Sequence, residues 1–300
     1  MVCSVNAHAS ILAPQEHNVS MRIDLHCHSG VSDGTDSPAE LVVAAVAAEL
    51  DAVAITDHDT FAGVAEAKAA GRVHGVEVLG GIEITCECGG VTVHLLGYGA
   101  DPDHTGLAEA LRVVRQGRDE RVPRIVAALD AAGVGVTLDD VLDQARPGTT
   151  LGRPHVADAL VANGEVSDRQ QAFDRWLDVG RPGYIGHEKI DLASGIALVR
   201  AAGGVAVLAH PWGRESRTVL TVRAIAELAR AGLDGLEVDH QLHDAQTRSE
   251  LRRVALAYDL IVTGGSDYHG TGKVNHDLGC NLTTEAGYRM ILRRVGSGRA

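Results

Sequence analysis

Residues 22–28 read Arg-Ile-Asp-Leu-His-Cys-His, a short apolar run that ends in two histidines. Side chains two apart on a strand point to one face, so His26 and His28 can converge on a single metal ion, with Asp33 five residues beyond. The ending recurs along the chain. Residues 52–56 run into Asp57-His58-Asp59, residues 76–79 are followed by Glu83, and residues 91–96 contain His94. Residues 204–209 lead into His210-Pro211, and residues 260–263 into Gly264-Gly265-Ser266-Asp267-Tyr268-His269. With residues 235–238 these make seven candidate strands, and Ala-rich helical stretches fit between most of them. That is the pattern of βα units around a parallel sheet. One histidine alone would read as an ordinary core or loop residue. His, Asp or Glu at the C-terminal end of six of the seven strands instead marks the face on which barrel enzymes build their sites.

Composition agrees with an α/β fold. The 300 residues are 45% hydrophobic but only 3% aromatic, so the core must be aliphatic, as at helix–sheet contacts. A formal charge of −13 argues against a broad basic surface for long duplex nucleic acid, while bound cations could supply positive charge to a small phosphorylated substrate. Five cysteines, an odd number in a chain too long to need disulfide staples, suit a reducing cytoplasm, and Cys86 and Cys88 read as ordinary small core or loop residues. No apolar run approaches the ~20 residues of a membrane span. Residues 1–20 lack a basic, then apolar, export pattern and read as a disordered leader.

Between residues 101 and 191 the βα rhythm stops, and helices broken by Pro123, Pro147, Pro154 and Pro182 take its place. The expected organisation is a barrel of residues 21–100 and 192–300, with residues 101–191 as an inserted helical lobe over its mouth. Near the start, Ser37-Pro38 with Glu40 has the spacing of a helix capping box, which gives Glu40 a structural role.

So many nitrogen and oxygen donors exceed what one ion can use, which implies two or three metals joined by a bridging carboxylate. Closely spaced divalent ions acidify a shared water and clamp a phosphoryl group during in-line displacement, with no need of a nucleophilic side chain.

The fragments DLHCHSGVSDGT, AITDHDT, GIEIT, HLLGY, GRPH, VLAHP and GGSDYHG, spread over about residues 22 to 281, resemble in kind and order those of the polymerase and histidinol phosphatase (PHP) superfamily. The resemblance implies a distorted (β/α)7 barrel with an inserted helical lobe and a trinuclear centre of Mn, Fe or Zn. It places His26, His28, Glu83 and Asp267 around one ion. Glu83 as bridge, His94 and His210 hold a second, and a metal-bridging hydroxide sits among these three residues. Asp33, His58 and His269 hold a third. Asp57 would orient His58 or a neighbouring ligand; His243 matches a recurrent position without an assignable role.

The lobe resembles that of the subgroup acting on 5′-phosphorylated nucleotides, whose members remove the 3′ phosphate of nucleoside 3′,5′-bisphosphates or trim RNA from its 5′ end. By this resemblance Arg153 and His155 grip the non-reacting 5′ phosphate, with Arg121 beside them, since a planar guanidinium matches phosphate geometry. Arg112, Arg115, Arg118 and Arg124 recur together with Arg121 every three residues, a step that winds around a helix, and these other four read as a solvated face. The substrates expected are small phosphorylated nucleotides or short 5′-phosphorylated oligonucleotides. The competing readings are a histidinol-phosphate-type phosphomonoesterase, a hydrolase of C–N bonds, and a non-catalytic metal-stabilised module.

Overall fold

The computed structural model describes residues 21–297; the leader expected at residues 1–20 lies outside them. The first strand, β1 (Ile23–Cys27), is buried along its whole length and pairs in parallel with β2 (Ala52–Ile55). Helices α1 (Pro38–Ala47) and α2 (Val64–His74) flank β2 in sequence, α1 starting at the capping box of Ser37 and Glu40. Next come β3 (Glu77–Cys88) and β4 (Val91–Tyr98), joined through Gly89 and Gly90, both at positive φ, where glycine carries no Cβ penalty. After the lobe, a two-residue β5 (Ile190–Asp191) lies on β3, and α7 (Leu192–Ala201), β6 (Val205–Ala209), α8 (Val222–Arg230), β7 (Gly235–Asp239), α9 (Ala245–Ala257), β8 (Ile261–Gly264) and α10 (Glu285–Ser297) complete the chain.

The sheet runs β1-β2-β3-β4-β6-β7-β8 and nearly closes on itself, because His28 N–H donates to Tyr268 O (2.8 Å) and Asp267 N–H to His26 O (2.9 Å). It is a mixed α/β barrel of the distorted kind. Two expectations need correction. Glu83 lies inside β3 rather than beyond its end, and β4 is antiparallel to both β3 and β6. A two-glycine hairpin turns the chain back, so the regular βα alternation fails there and His94 reaches the mouth from the middle of its strand.

The barrel floor is filled by Ile23, Leu25, Ala52, Ala54, Leu96, Tyr98, Val205 and Val207, with Tyr288 and Ile291 of α10 closing it from below. An outer layer packs Ile82, Ile84, Val93 and Leu95 against α7, in one cluster that continues through Ile225 of α8 and Leu251 of α9. On β1 the facing changes midway: Asp24 pairs with Val53 and Cys27 with Ile55, three steps against two. This bulge inserts one residue, so Leu25 joins the floor while Cys27 turns outward onto α1 and α2, and His26 and His28 face the mouth.

Helix α3 (Thr105–Ala131) serves two cores. Its first half buries Leu107, Leu111 and Val114 on the barrel, and its second half buries Val122, Ile125 and Leu129 in a separate cluster with α4 (Leu138–Leu142), α5 (Arg153–Ala162), α6 (Arg169–Ala172) and the single π-helical stretch Phe173–Leu177. The helix does not break at Pro123 as expected. Burial of apolar residues on both sides of the proline offsets the hydrogen bond it removes, a loss of about 3 kcal/mol. Among the described residues, no helix is long and apolar enough to cross a membrane.

Candidate metal centre

At the mouth of the barrel the chain gathers His26 from β1, His28 and Asp33 from the segment after it, His58 after β2, Glu83 from β3, His94 from β4, His210 after β6, and Asp267 and His269 after β8. Donor atoms lie within 4.8 Å of one another in the sets His28/Asp33/His58/His269, His26/His28/Asp267 and Glu83/His94/His210. All nine residues that the resemblance picks out are brought together.

Glu83 is the hub. Its Oε2 lies 3.4 Å from His26 Nε2, 3.2 Å from His28 Nε2 and 3.2 Å from His58 Nδ1, and its Oε1 lies 3.0 Å from His94 Nδ1 and 3.1 Å from His210 Nε2. One carboxylate oxygen therefore faces each half of the cluster, the geometry of a bridge. Asp267 Oδ1 sits 3.7 Å from His26 Nε2 and 3.6 Å from His28 Nε2, and Asp33 Oδ1 sits 3.3 Å from His269 Nε2.

These donors fit divalent cations better than they fit each other. His26 and His28 point Nε2 at Nε2 across 3.1 Å, and the buried Nδ1 atoms of His28 and His58 have no hydrogen-bond partner. Such unsatisfied buried groups are costly unless something fills the space between them. Burial opposes charge on Glu83, but His94, His26 and His58 outweigh it and hold its carboxyl well below the usual range. Asp267 is held low against burial by Lys273 and His26, and Asp33 by His269 and His58. Burial drives His58 well below its ordinary value, against the pull of Asp33 and Glu83. The site thus presents anionic carboxylates with a neutral His58, while at His26 burial is outweighed by Glu237, Glu83 and Asp267, which raise it, so that ligation there would displace a proton. His210 and Asp267 also hold positive φ (27° and 55°), where non-glycine residues are strained by of order 1 kcal/mol each.

Several partners carry no mark in the sequence. Glu237 Oε1 takes His26 Nδ1 at 2.9 Å, and its Oε2 accepts His210 N–H at 2.8 Å, so one carboxylate fixes two candidate ligands. His240 Nε2 lies 3.2 Å from Asp267 Oδ2, which also receives the Lys273 ammonium. The only hint was a glutamate inside the apolar strand of residues 235–238. Asp57 makes no hydrogen bond to His58 and turns instead to the loop between His28 and Asp33. It accepts Ser29 N–H (2.8 Å), Ser29 Oγ (2.7 Å) and Ser32 Oγ (2.7 Å), and so braces the loop that carries Asp33. His243 donates from Nδ1 to Val238 O at 2.9 Å, and its buried Nε2 has no hydrogen-bond partner.

Beside the cluster, the lobe presents cations. Arg121 is buried, with Nη1 3.0 Å from His187 Nδ1, and burial followed by the nearby Arg118 and Arg153 pushes it down to about 9. Burial and the same arginines, Arg121 foremost, hold His187 down to about 2, hence neutral. The Nε atoms of Arg118 and Arg121 and Nε2 of His187 are buried without hydrogen-bond partners, and each is a donor of the kind that binds an anion. Arg153 donates to Leu177 O (3.0 Å) and stacks its guanidinium on Phe173 and Tyr184. His155 is buried at the start of α5, where its Nδ1 accepts Gly152 N–H at 3.0 Å.

The solvated-face reading holds for Arg112, paired with Glu109 and Gln116, and for the exposed Arg124. It fails for Arg115, which donates to Asp59 O (2.8 Å), and for Arg118, 3.4 Å from Asp59 Oδ2. Two successive steps of three residues span only about 120° of helix, so Arg115, Arg118 and Arg121 share the barrel-facing side.

Residues 24–130 match the PHP domain family. The chain is 36% identical, over 257 residues, to a 3′,5′-nucleoside bisphosphate phosphatase of Chromobacterium violaceum, the match covering 86% of this chain and 90% of that protein. It is 34% identical to a 5′-3′ exoribonuclease of Haemophilus influenzae, covering 84% and 91%. A crystal structure from Bifidobacterium adolescentis, inferred to be a metal-dependent phosphoesterase, superposes with a TM-score of 0.88 at 41% identity, covering 91% of this chain and 96% of that one.

Proposed function

The chain belongs to the PHP family of phosphoester hydrolases, and from that premise we propose that it hydrolyses the 3′ phosphoester of small 5′-phosphorylated nucleotides, nucleoside 3′,5′-bisphosphates or short oligonucleotides. The observation that carries this reading is the group of Arg118, Arg121 and His187, whose buried Nε and Nε2 atoms lack hydrogen-bond partners, with Arg118 near enough to the carboxylate–histidine cluster to bear on His58. A cationic pocket separate from the reacting centre suits a substrate with two phosphates, one gripped and one hydrolysed.

In this reading His26, His28, Asp33, His58, Glu83, His94, His210, Asp267 and His269 hold the divalent ions, three as the resemblance implies, with Mn, Fe or Zn suited to mixed imidazole and carboxylate donors. When bound, the ions supply Lewis acidity and a nucleophilic water at neutral pH. The protein supplies the rest. Glu83 spaces the two halves of the centre, Glu237 fixes the rings of His26 and the backbone of His210, and the lobe of residues 101–191 fixes the 5′ phosphate so that the 3′ ester is delivered to the cluster. Bidentate positioning of this kind converts binding of the remote phosphate into orientation of the reacting one.

The test is phosphate release by the Mn-loaded protein from adenosine 3′,5′-bisphosphate, from adenosine 3′-monophosphate and from histidinol phosphate. Strong preference for the bisphosphate, lost in His26→Ala, is expected. In Arg121→Ala the KM for the bisphosphate should rise at least tenfold, with little change for the monophosphate. Equal turnover of all three substrates would remove the nucleotide reading and leave a general phosphomonoesterase.

A further inference from the structure

Asp33 stands apart from the other carboxylates of the centre. Glu83 is set within a strand and Asp267 is tied to backbone and Lys273, but Asp33 hangs in the loop between β1 and α1 with no sheet partner. Its Oδ1 must meet His269, which comes from the loop after β8 on the other side of the barrel seam, and its Oδ2 faces His58 at 3.7 Å. A ligand set drawn from two loops needs something that fixes one loop against the other, because placement has to hold to within about 0.5 Å.

The lobe provides donors for this loop. Thr149 Oγ1 donates to Gly30 O (2.9 Å), Arg146 Nη2 to Thr35 O (3.1 Å), and Arg169 Nη1 to the carbonyl of Asp33 itself (3.1 Å). Of these three, Arg169 alone also reaches the second loop, where the same Nη1 lies 3.4 Å from Gly272 O. Its side chain is only 15% exposed, and its other nitrogens, Nε and Nη2, bind both oxygens of Asp158 on α5. A planar guanidinium locked on one edge by a carboxylate aims its remaining N–H groups in fixed directions, which a lysine cannot do. Gly272 permits the approach: a Cβ there would sit 2.2 Å from Arg169 Nη1.

We propose that Arg169 is a positioning residue for the metal centre, through which Asp158 and the helical lobe hold the Asp33 loop and the His269 loop together. The inference rests on the reading of Asp33, His58 and His269 as ligands of one ion. It makes the lobe part of the metal site as well as a grip for substrate, although Arg169 touches neither ion nor nucleotide.

The test is equilibrium dialysis of the full-length, chelator-stripped protein against Mn²⁺, with bound metal counted by mass spectrometry, on wild type, His58→Ala, Arg169→Met, Asp158→Asn and Gly272→Ala. Circular dichroism of each stripped protein checks the fold. Arg169→Met should weaken the ion lost in His58→Ala by 10- to 100-fold and leave the others unchanged, as loss of an outer hydrogen bond to a ligand does. Gly272→Ala, which pushes the guanidinium aside without removing it, should act in the same direction, and Asp158→Asn less strongly. Turnover by Arg169→Met should recover as Mn²⁺ is raised, a rescue that a merely structural defect would not show. If Arg169→Met fails to fold, Gly272→Ala and Asp158→Asn carry the comparison. Isotherms of the Arg169 and Gly272 variants that overlay wild type would overturn the proposal. If His58→Ala also overlays wild type, the ligand reading itself has failed, and the inference falls with it.

Discussion

At Glu83 each carboxylate oxygen faces a different group of imidazoles, so replacing one oxygen disables one side of the bridge and unsettles the other. Glu83→Gln should lose more than one bound ion per chain by mass spectrometry and lower turnover by roughly 100-fold or more. Glu237 offers a pH test on the stripped protein. Burial works against its charge, but His26 and His240 outweigh burial and hold it down to about 2, from 4.5. A depressed carboxylate contributes stability that is fully present above its unfolded value and lost as pH falls through the folded one, so the window runs from 4.5 to about 2. His26 has the opposite sign: burial lowers it, Glu237, Glu83 and Asp267 raise it further, and its contribution fades as pH climbs through that raised value. Denaturation midpoints in chelator should therefore drop steeply below pH ~4.5 in wild type and less steeply in Glu237→Gln, a difference of about 3 kcal/mol at neutral pH. A superimposable acid limb would show that Glu237 is not tied to His26 in solution. Most of the candidate ligands were legible in the sequence because they stand at or just beyond the end of a short apolar run, whereas Glu83 and His94 lie inside their strands and rested on the resemblance. Glu237 and His240 were not, since a glutamate inside a strand looks the same whether it faces solvent or an imidazole.

The elements divide along the same line. Strands with ligand-bearing ends were recognisable from composition, and so was the capping box of α1. The β3–β4 hairpin was hidden because its two strands are as apolar as parallel ones, and Gly89-Gly90 is a short signal. The continuity of α3 through Pro123 was hidden for another reason: the proline obeys a local rule, while tertiary burial on both sides of it decides the outcome. His187 and Tyr184 lie in an irregular segment where no periodicity announces a facing. Because α3 is shared by two cores, Leu111→Ala and Leu129→Ala should each cost about 2–5 kcal/mol in denaturant unfolding. The two should differ in kind: the first should disturb the barrel half, and the second should loosen Arg121 and raise the KM for a 5′-phosphorylated substrate. Equal effects on KM would argue that the halves are not separable.

For the molecule as a whole, three carboxylates and six histidines packed at one mouth leave buried ring nitrogens of His28 and His58 without partners, which bound cations would satisfy. The melting temperature should climb with Mn²⁺ or Zn²⁺ concentration well past simple saturation, as binding to the folded form alone requires, and chelator should reverse the gain. A melting temperature indifferent to metal would mean the cluster is satisfied by protons. The whole arrangement depends on one extra residue in β1. Without the bulge between Asp24 and Cys27, the strand would keep strict alternation, and His26 would turn away from the barrel axis with Asp24. The insertion works as a phase shift in the chain: the floor is written in one frame and the mouth in the other, so substitutions that repack the one leave the chemistry of the other in register.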